Sequence, residues 1–434
     1  MNNPSFISYQ KIWLMSYPLM ISLIIEHMIG LTDAIFLGRV GDVALGACAL
    51  GGVYYMAMFM LAFGFGFGAQ IIIARRNGER YNRIGPTMIQ GCYFMLALAV
   101  VLFTASQYFS PIILRDIIES PQVYDATADY LHWRTYGIFF SFLCVMFRAY
   151  YVGITQTKIL TINSVVMLLS NVVLNYCLIF GKGGFPVMGI AGAAIASSVS
   201  EAVSLLFFII YTGTTADKRK YGFRRAFTFR PHLLKGMLSI SGWTMVQSFI
   251  SVSIWFIFFL AIEHLGERPL AVTNIVRNIS ALLIMVISAF ATTAGEQRYL
   301  FRTCGMTLNL TYAILVPLLV ILCLFPEPVL RVFTDNPSLI AASINSVYVM
   351  STSTLIMAPA FILFNAVSGT GNTKAGFIME MISLTVYTAA VYYIVIRLKP
   401  DVALCWFSEH VYGIALIALA WWYLKSGKWR GKKV

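Results

Sequence analysis

Residues 18–41, PLMISLIIEHMIGLTDAIFLGRVG, decide how this chain is read. The stretch is apolar and long enough to cross a bilayer core, which takes about 20 residues. Yet it carries Pro18, Glu26 and Asp33. An ionisable side chain at membrane depth costs about 2.5 kcal/mol or more unless it is paired or hydrated, so each one is a candidate for function. Asp33 is the leading candidate.

Outward from that stretch, the rest of the chain has the same character. Over 434 residues it is 59% hydrophobic and 11% charged, with a mean hydropathy of +0.78, as expected of an integral membrane protein. Twelve apolar segments centre near residues 25, 58, 98, 140, 169, 199, 250, 282, 311, 354, 385 and 413. The expected fold is an all-α integral membrane protein with 12 transmembrane helices in two six-helix pseudo-symmetric lobes. The opening MNNPSFISYQK lacks the basic region and cleavage site of a secretory signal, so the first apolar run is expected to be a retained helix. Cysteines 48, 92, 144, 177, 304, 323 and 405 are scattered singly inside predicted spans and behave as small hydrophobes, without the spacing of disulfides or metal sites.

The net charge of +13 could suggest nucleic acid, but its distribution points to topology. With both termini cytoplasmic, 21 Lys and Arg fall in inside segments and seven in outside loops, the bias that orients membrane proteins. A repeat is also visible. RDIIESP…GITQTK over 115–158 and RVFTDNP…GTGNTK over 331–374 align at an offset of 216, while Met20, Gly41 and Leu45 align with Met245, Gly266 and Leu270 at an offset of 225. The second copy is therefore nine residues shorter near ATTAGEQRYLFR, residues 291–302. The expected organisation is an N-lobe at 1–211, a cytoplasmic linker at 212–236 and a C-lobe at 237–434. The linker is expected to be solvated, with a surface amphipathic helix around Phe227 and Phe229 as the alternative.

Hydrolytic, redox and nucleotide motifs are absent. Gly64-Phe-Gly-Phe-Gly68 lies inside an apolar segment and reads as close helix packing rather than a phosphate loop. The acids inside spans are Glu26, Asp33, Glu201, Glu263 and Glu380. Glu263 reads as an interfacial charge, and Glu380 as one within snorkelling range of the cytoplasmic surface. Glu26 and Glu201 lie deeper, where an arginine such as Arg148 or Arg277 is the expected partner. Asp33 has polar groups available in its own half. Asn171 and Asn175 share a helix face at i and i+4, and the small-residue run Gly192–Ser197 brings a hydroxyl. A carboxylate facing amide oxygens and a hydroxyl can accept a proton or hold Na+, because hard cations prefer oxygen ligands.

These residues resemble the multidrug and toxic compound extrusion (MATE) family. The resemblance is carried by the Pro18–Asp33 helix followed by FLGRVG, the GAQ end of helix two, NVVLNYCLIFG in helix five, GIAGAAIAS opening helix six, and the G-x-x-[QN]-T-K turns closing helices four and ten. It covers essentially the whole chain. The resemblance implies two six-helix lobes around a central cavity in a bacterial plasma membrane, with both termini cytoplasmic. It implies export of bulky, often cationic compounds by antiport with H+ or Na+. It further implies that Asp33 is the coupling carboxylate, that Asn171, Asn175 and Ser197 are its partners, and that Pro18 is a hinge in helix one. Residues 341–373 contain no Asp or Glu, and helix seven offers Gln247, so coupling is expected in the first lobe.

The expected substrate cavity uses Glu26, Met28, Tyr55, Tyr136, Phe139 and Gln247, which combine charge with aromatic and thioether contact area. No cofactor beyond the coupling ion, no metal beyond Na+ at Asp33, no catalytic activity and no nucleic-acid partner are expected. The expected state is a monomer among membrane lipid with a small-molecule substrate. The alternative is a lipid-linked oligosaccharide flippase, which would need several cavity arginines for a pyrophosphate.

Overall fold

The computed structural model describes residues 8–79, 81–118, 120–217, 219–223, 226–263, 265–292, 300–334, 336–427 and 429. Among them are twelve helices long and apolar enough to cross a membrane. They are α1 (Tyr9–Gly38), α2 (Gly46–Glu79), α3 (Tyr81–Arg115), α4 (Pro121–Gly153), α5 (Lys158–Phe180) and α6 (Gly189–Thr215), followed by α7 (Pro231–Phe258), α8 (Arg268–Ala291), α9 (Leu300–Leu324), α10 (Pro337–Gly369), α11 (Thr373–Leu398) and α12 (Val402–Lys425). Each contains one of the twelve centres read from the sequence.

The repeated residues mark where helices start and stop. Pro121 and Pro337 stand at the first positions of α4 and α10, where a missing N–H breaks no helical hydrogen bond. Before Pro337, Asn336 caps the helix, its Oδ1 accepting from Ser338 N at 3.0 Å. Both helices run 33 residues and end at the repeated glycines, Gly153 and Gly369. They differ inside: α4 breaks into a 3-10 turn at Thr135–Gly137, whereas α10 is continuous.

The chain divides into two compact units, one of Ile21–Phe249 and one comprising the described parts of Met1–Met20 and Ile250–Val434. In the first, Phe65, Met95, Phe142 and Met146 form a buried core that also takes in Met237 of α7. The glycines of α2 bring α7 close. A Cβ on Gly64 would lie 2.6 Å from Met245 Cα, and one on Gly68 would lie 2.6 Å from Ser241 Cα. Thr244 Oγ1 donates to the Gly64 carbonyl at 2.7 Å across the same seam. In the second unit, Ile12 of α1 packs with Val286, Phe290 and Met306, and Asn309 Nδ2 donates to Tyr9 Oη at 3.0 Å. The units thus part inside α1 and α7, whereas the expected lobes are 1–211 and 237–434. What moves each segment is its own contact set, the start of α1 with α8 and α9 and the start of α7 with α2.

Among the described residues of the linker, no helix forms around Phe227 and Phe229, which are both exposed. The linker's end is fastened to α3, with Gln90 Nε2 donating to the Thr228 carbonyl at 3.0 Å and Tyr93 Oη to the Phe227 carbonyl at 2.8 Å. Residues 293–299, where the second repeat shortens, lie outside the described residues, as do His264 and the side chain of Glu263.

Candidate functional site

Three helices of the first unit assemble around Asp33. The i, i+4 spacing on α5 places Asn171 and Asn175 on one face, both fully buried. The small residues of α6 let it lie against α5, since a Cβ on Gly192 would sit 2.7 Å from the Leu178 carbonyl oxygen. Ser197, eight residues along α6, reaches the same spot. Asn175 Nδ2 donates to Asp33 Oδ1 at 2.6 Å and Ser197 Oγ to Oδ2 at 2.7 Å. Asn175 Nδ2 also donates to Asn171 Oδ1 at 3.0 Å, and Asn171 Nδ2 to Ser197 Oγ at 3.2 Å, which closes a ring of polar contacts. Asp33 is only 7% exposed. All four residues expected together from the sequence are brought together.

The donor set suits either a proton or a small hard cation. Asp33 offers two carboxylate oxygens, each held by a neutral donor, and the buried Asn175 Oδ1 has no hydrogen-bond partner among the described residues. An amide oxygen left over beside a carboxylate is what Na+ can use, while a proton needs only the carboxylate.

Asp33 opens onto a cavity of about 350 Å³ inside the first unit. Two more acids line it, each with its own guanidinium. Arg148 Nη1 donates to Glu26 Oε2 at 2.7 Å, and Ser164 Oγ donates to Glu26 Oε1 at 3.1 Å. Arg134 grips Glu201 with two parallel hydrogen bonds, Nη2 to Oε1 at 2.6 Å and Nη1 to Oε2 at 2.9 Å. The Arg134 guanidinium also lies over the Tyr55 ring, 3.7 Å from its centroid, and Tyr55 Oη shares a hydrogen bond with Ser141 Oγ at 2.9 Å. Gly137 leaves room for this pair, because a side chain there would run into both Arg134 and Glu201.

Of the residues expected around the substrate, Glu26 and Tyr55 line this cavity. Met28, Tyr136, Phe139 and Gln247 are not among its lining residues. Met28 and Tyr136 face outward, 46% and 42% exposed, and the Tyr136 ring packs tilted or edge-on against Phe103, His132 and Trp133. Pro18 sits inside α1, three residues before the first unit begins at Ile21. Arg148 or Arg277 was the expected partner of Glu26 and Glu201; Arg148 pairs with Glu26, but Glu201 pairs with Arg134, which was not among the expected partners. The available signal was an arginine three residues before a glycine in an otherwise apolar span, a pattern that does not name its partner. Glu380 corrects the reading that it snorkels to the surface: it is 3% exposed, with Ser251 Oγ and Tyr412 Oη donating to its Oε1 at 2.8 and 2.9 Å. Two hydroxyl donors from neighbouring helices hold it inward.

Fold and site together define a twelve-helix integral membrane protein with a charged chamber built into one of its compact units. The profile of the MatE family matches residues 18–177 and 244–394, and the chain belongs to that family. It is 25% identical over 283 residues to the probable multidrug resistance protein NorM of Mannheimia succiniciproducens, covering 64% of this chain and 61% of that protein. To the Thermotoga maritima protein of the same name it is 23% identical over 97% of this chain and 93% of the relative. The fold is that of a solved transporter of the MOP superfamily from Pyrococcus furiosus, with a TM-score of 0.87, 18% identity and coverage of 98% and 97%. That transporter is described as having a binding pocket of reversed polarity that suggests a different function.

Proposed function

We propose that the chain is a secondary active exporter of lipophilic, often monocationic organic compounds, driven by exchange with H+ or Na+ at Asp33. The observation that carries this reading is the charge balance of the cavity. Three carboxylates and two guanidinium groups line it, and both guanidinium groups are taken up by Glu26 and Glu201. Asp33, held by Asn175 and Ser197, is the acid whose charge has no guanidinium hydrogen bond. The formal charge of the chamber is therefore −1 with Asp33 ionised and zero with a proton or Na+ bound.

A monocation is attracted in the first state and released in the second, so one small ion and one drug compete for the same charge. Coupling follows if the ion binds one conformation better than the other. Asn171, Asn175 and Ser197 orient the carboxylate, and Pro18 leaves a backbone carbonyl of α1 without its helical donor, which lets the helix bend there. The names of the NorM relatives support export of drugs, and the positive-inside bias supports cytoplasmic termini in a bacterial plasma membrane. A lipid-linked oligosaccharide flippase is disfavoured because both cavity arginines are already neutralised and neither offers a bare cation to a pyrophosphate.

Expression in a bacterium lacking its own drug pumps tests the reading. Tolerance to ethidium should rise severalfold with the wild-type chain and return to background with Asp33→Asn. Unchanged tolerance with well-expressed wild type would overturn drug export.

A further inference from the structure

In the first unit Glu26 of α1 accepts from Ser164 of α5, and Arg148 of α4 supplies the counter-charge. The repeat offsets of 225 and 216 carry Glu26, Ser164 and Arg148 to Ser251 of α7, Glu380 of α11 and Phe364 of α10. The hydrogen bond survives with its ends exchanged: Ser251 Oγ now donates to Glu380 Oε1 at 2.8 Å. The guanidinium has become a phenyl ring.

Glu380 thus stands where the first copy has Ser164, so the acid has changed ends of the same hydrogen bond, and the place of Arg148 is taken by Phe364. Glu380 Oε1 accepts from Ser251 and Tyr412, and its Oε2 is buried with no hydrogen-bond partner among the described residues. The Ser383 hydroxyl, three residues further along α11, is also buried and without a hydrogen-bond partner among the described residues. The titratable groups around it are Tyr412 and Glu409 of α12 and Tyr387 of α11. Tyr387 Oη donates to Glu409 at 2.9 Å, and its ring packs edge-on against Tyr412. His410, next to Glu409, is turned to Thr352 of α10, with its Nε2 at 2.9 Å from Oγ1. An ionised carboxylate enclosed this way faces a desolvation cost that two hydroxyls do not offset, whereas a neutral acid does not.

We infer that Glu380 is a second proton-binding site, carrying its proton on Oε2 while the carbonyl-like Oε1 accepts from Ser251 and Tyr412. The step is simple protonation of a carboxylate, with no other bond changed. Proton binding here does not depend on the export reading; only its use in a transport cycle would. The site is distinct from Asp33, lies in the other compact unit, and takes a proton rather than a drug.

Infrared spectroscopy of the purified full-length protein at neutral pH tests this directly. The difference spectrum of wild type minus Glu380→Gln should contain one carboxylic-acid C=O band. Tyr412→Phe should shift that band to higher frequency, because it removes one hydrogen bond from the carbonyl oxygen and keeps the acid. Carboxylate bands in place of the C=O band would overturn the proposal, as would loss of the band when Na+ is added at fixed pH. If Glu380→Gln does not fold, the Tyr412→Phe spectrum decides alone, and an unshifted C=O region would overturn it.

Discussion

Truncating Arg134 to alanine leaves Glu201 buried with its charge uncompensated, since the two side chains are only 11% and 9% exposed. Breaking one side of such a pair costs about 3–5 kcal/mol, whereas replacing both sides by apolar groups of similar volume costs far less. Arg134→Ala should therefore lower the unfolding midpoint of the purified protein well below wild type. Arg134→Met combined with Glu201→Leu should recover most of the loss, and equal destabilisation by single and double variants would show that the ion pair is not what holds α4 to α6. The Glu26–Arg148 pair is more open to solvent, at 33% and 21%, and contributes less. Among individual residues, Asp33 and its partners were legible because each is a polar residue that an apolar span does not need. Arg134 was not, because an arginine in a span announces a partner without saying which acid it is, and its partner Glu201 arrives from another helix.

At the scale of elements, glycine on α2 has a positional meaning that can be tested. A Cβ at Gly68 would sit 2.6 Å from the Ser241 backbone, so valine there must push α7 away. Overpacking of this kind costs about 1–3 kcal/mol. Gly46, with nothing within 4 Å of where its Cβ would be, should accept alanine without loss. Thermal unfolding of the two variants checks the difference, and a Gly68→Val protein as stable as Gly46→Ala would mean that α2 and α7 do not meet as described. The GFGFG run could be read as packing from sequence because it lies in an apolar span, but the facing helix could not be named. Helix ends were more legible, since proline at the start and glycine at the end act through local backbone geometry alone. The inward turn of Glu380 was not legible, because snorkelling and burial use the same sequence position and differ only in whether hydroxyls such as Ser251 and Tyr412 arrive from other helices.

Across the whole molecule, the twelve spans and the repeat were legible because hydropathy and periodic punctuation suffice for them. The division into compact units was not, as it depends on which neighbours the beginnings of α1 and α7 find. In the proposed exchange, one carboxylate sets the charge of the chamber and thereby trades a small cation for a drug. Reconstituted vesicles with an imposed pH or Na+ gradient measure this directly through uphill movement of a fluorescent monocation. Wild type should concentrate the dye when either the proton or the sodium gradient is applied, and collapse of that gradient should abolish it. Asp33→Asn should fold, bind the dye more weakly and fail to move it uphill. Gradient-driven accumulation by Asp33→Asn at the wild-type rate would contradict the account.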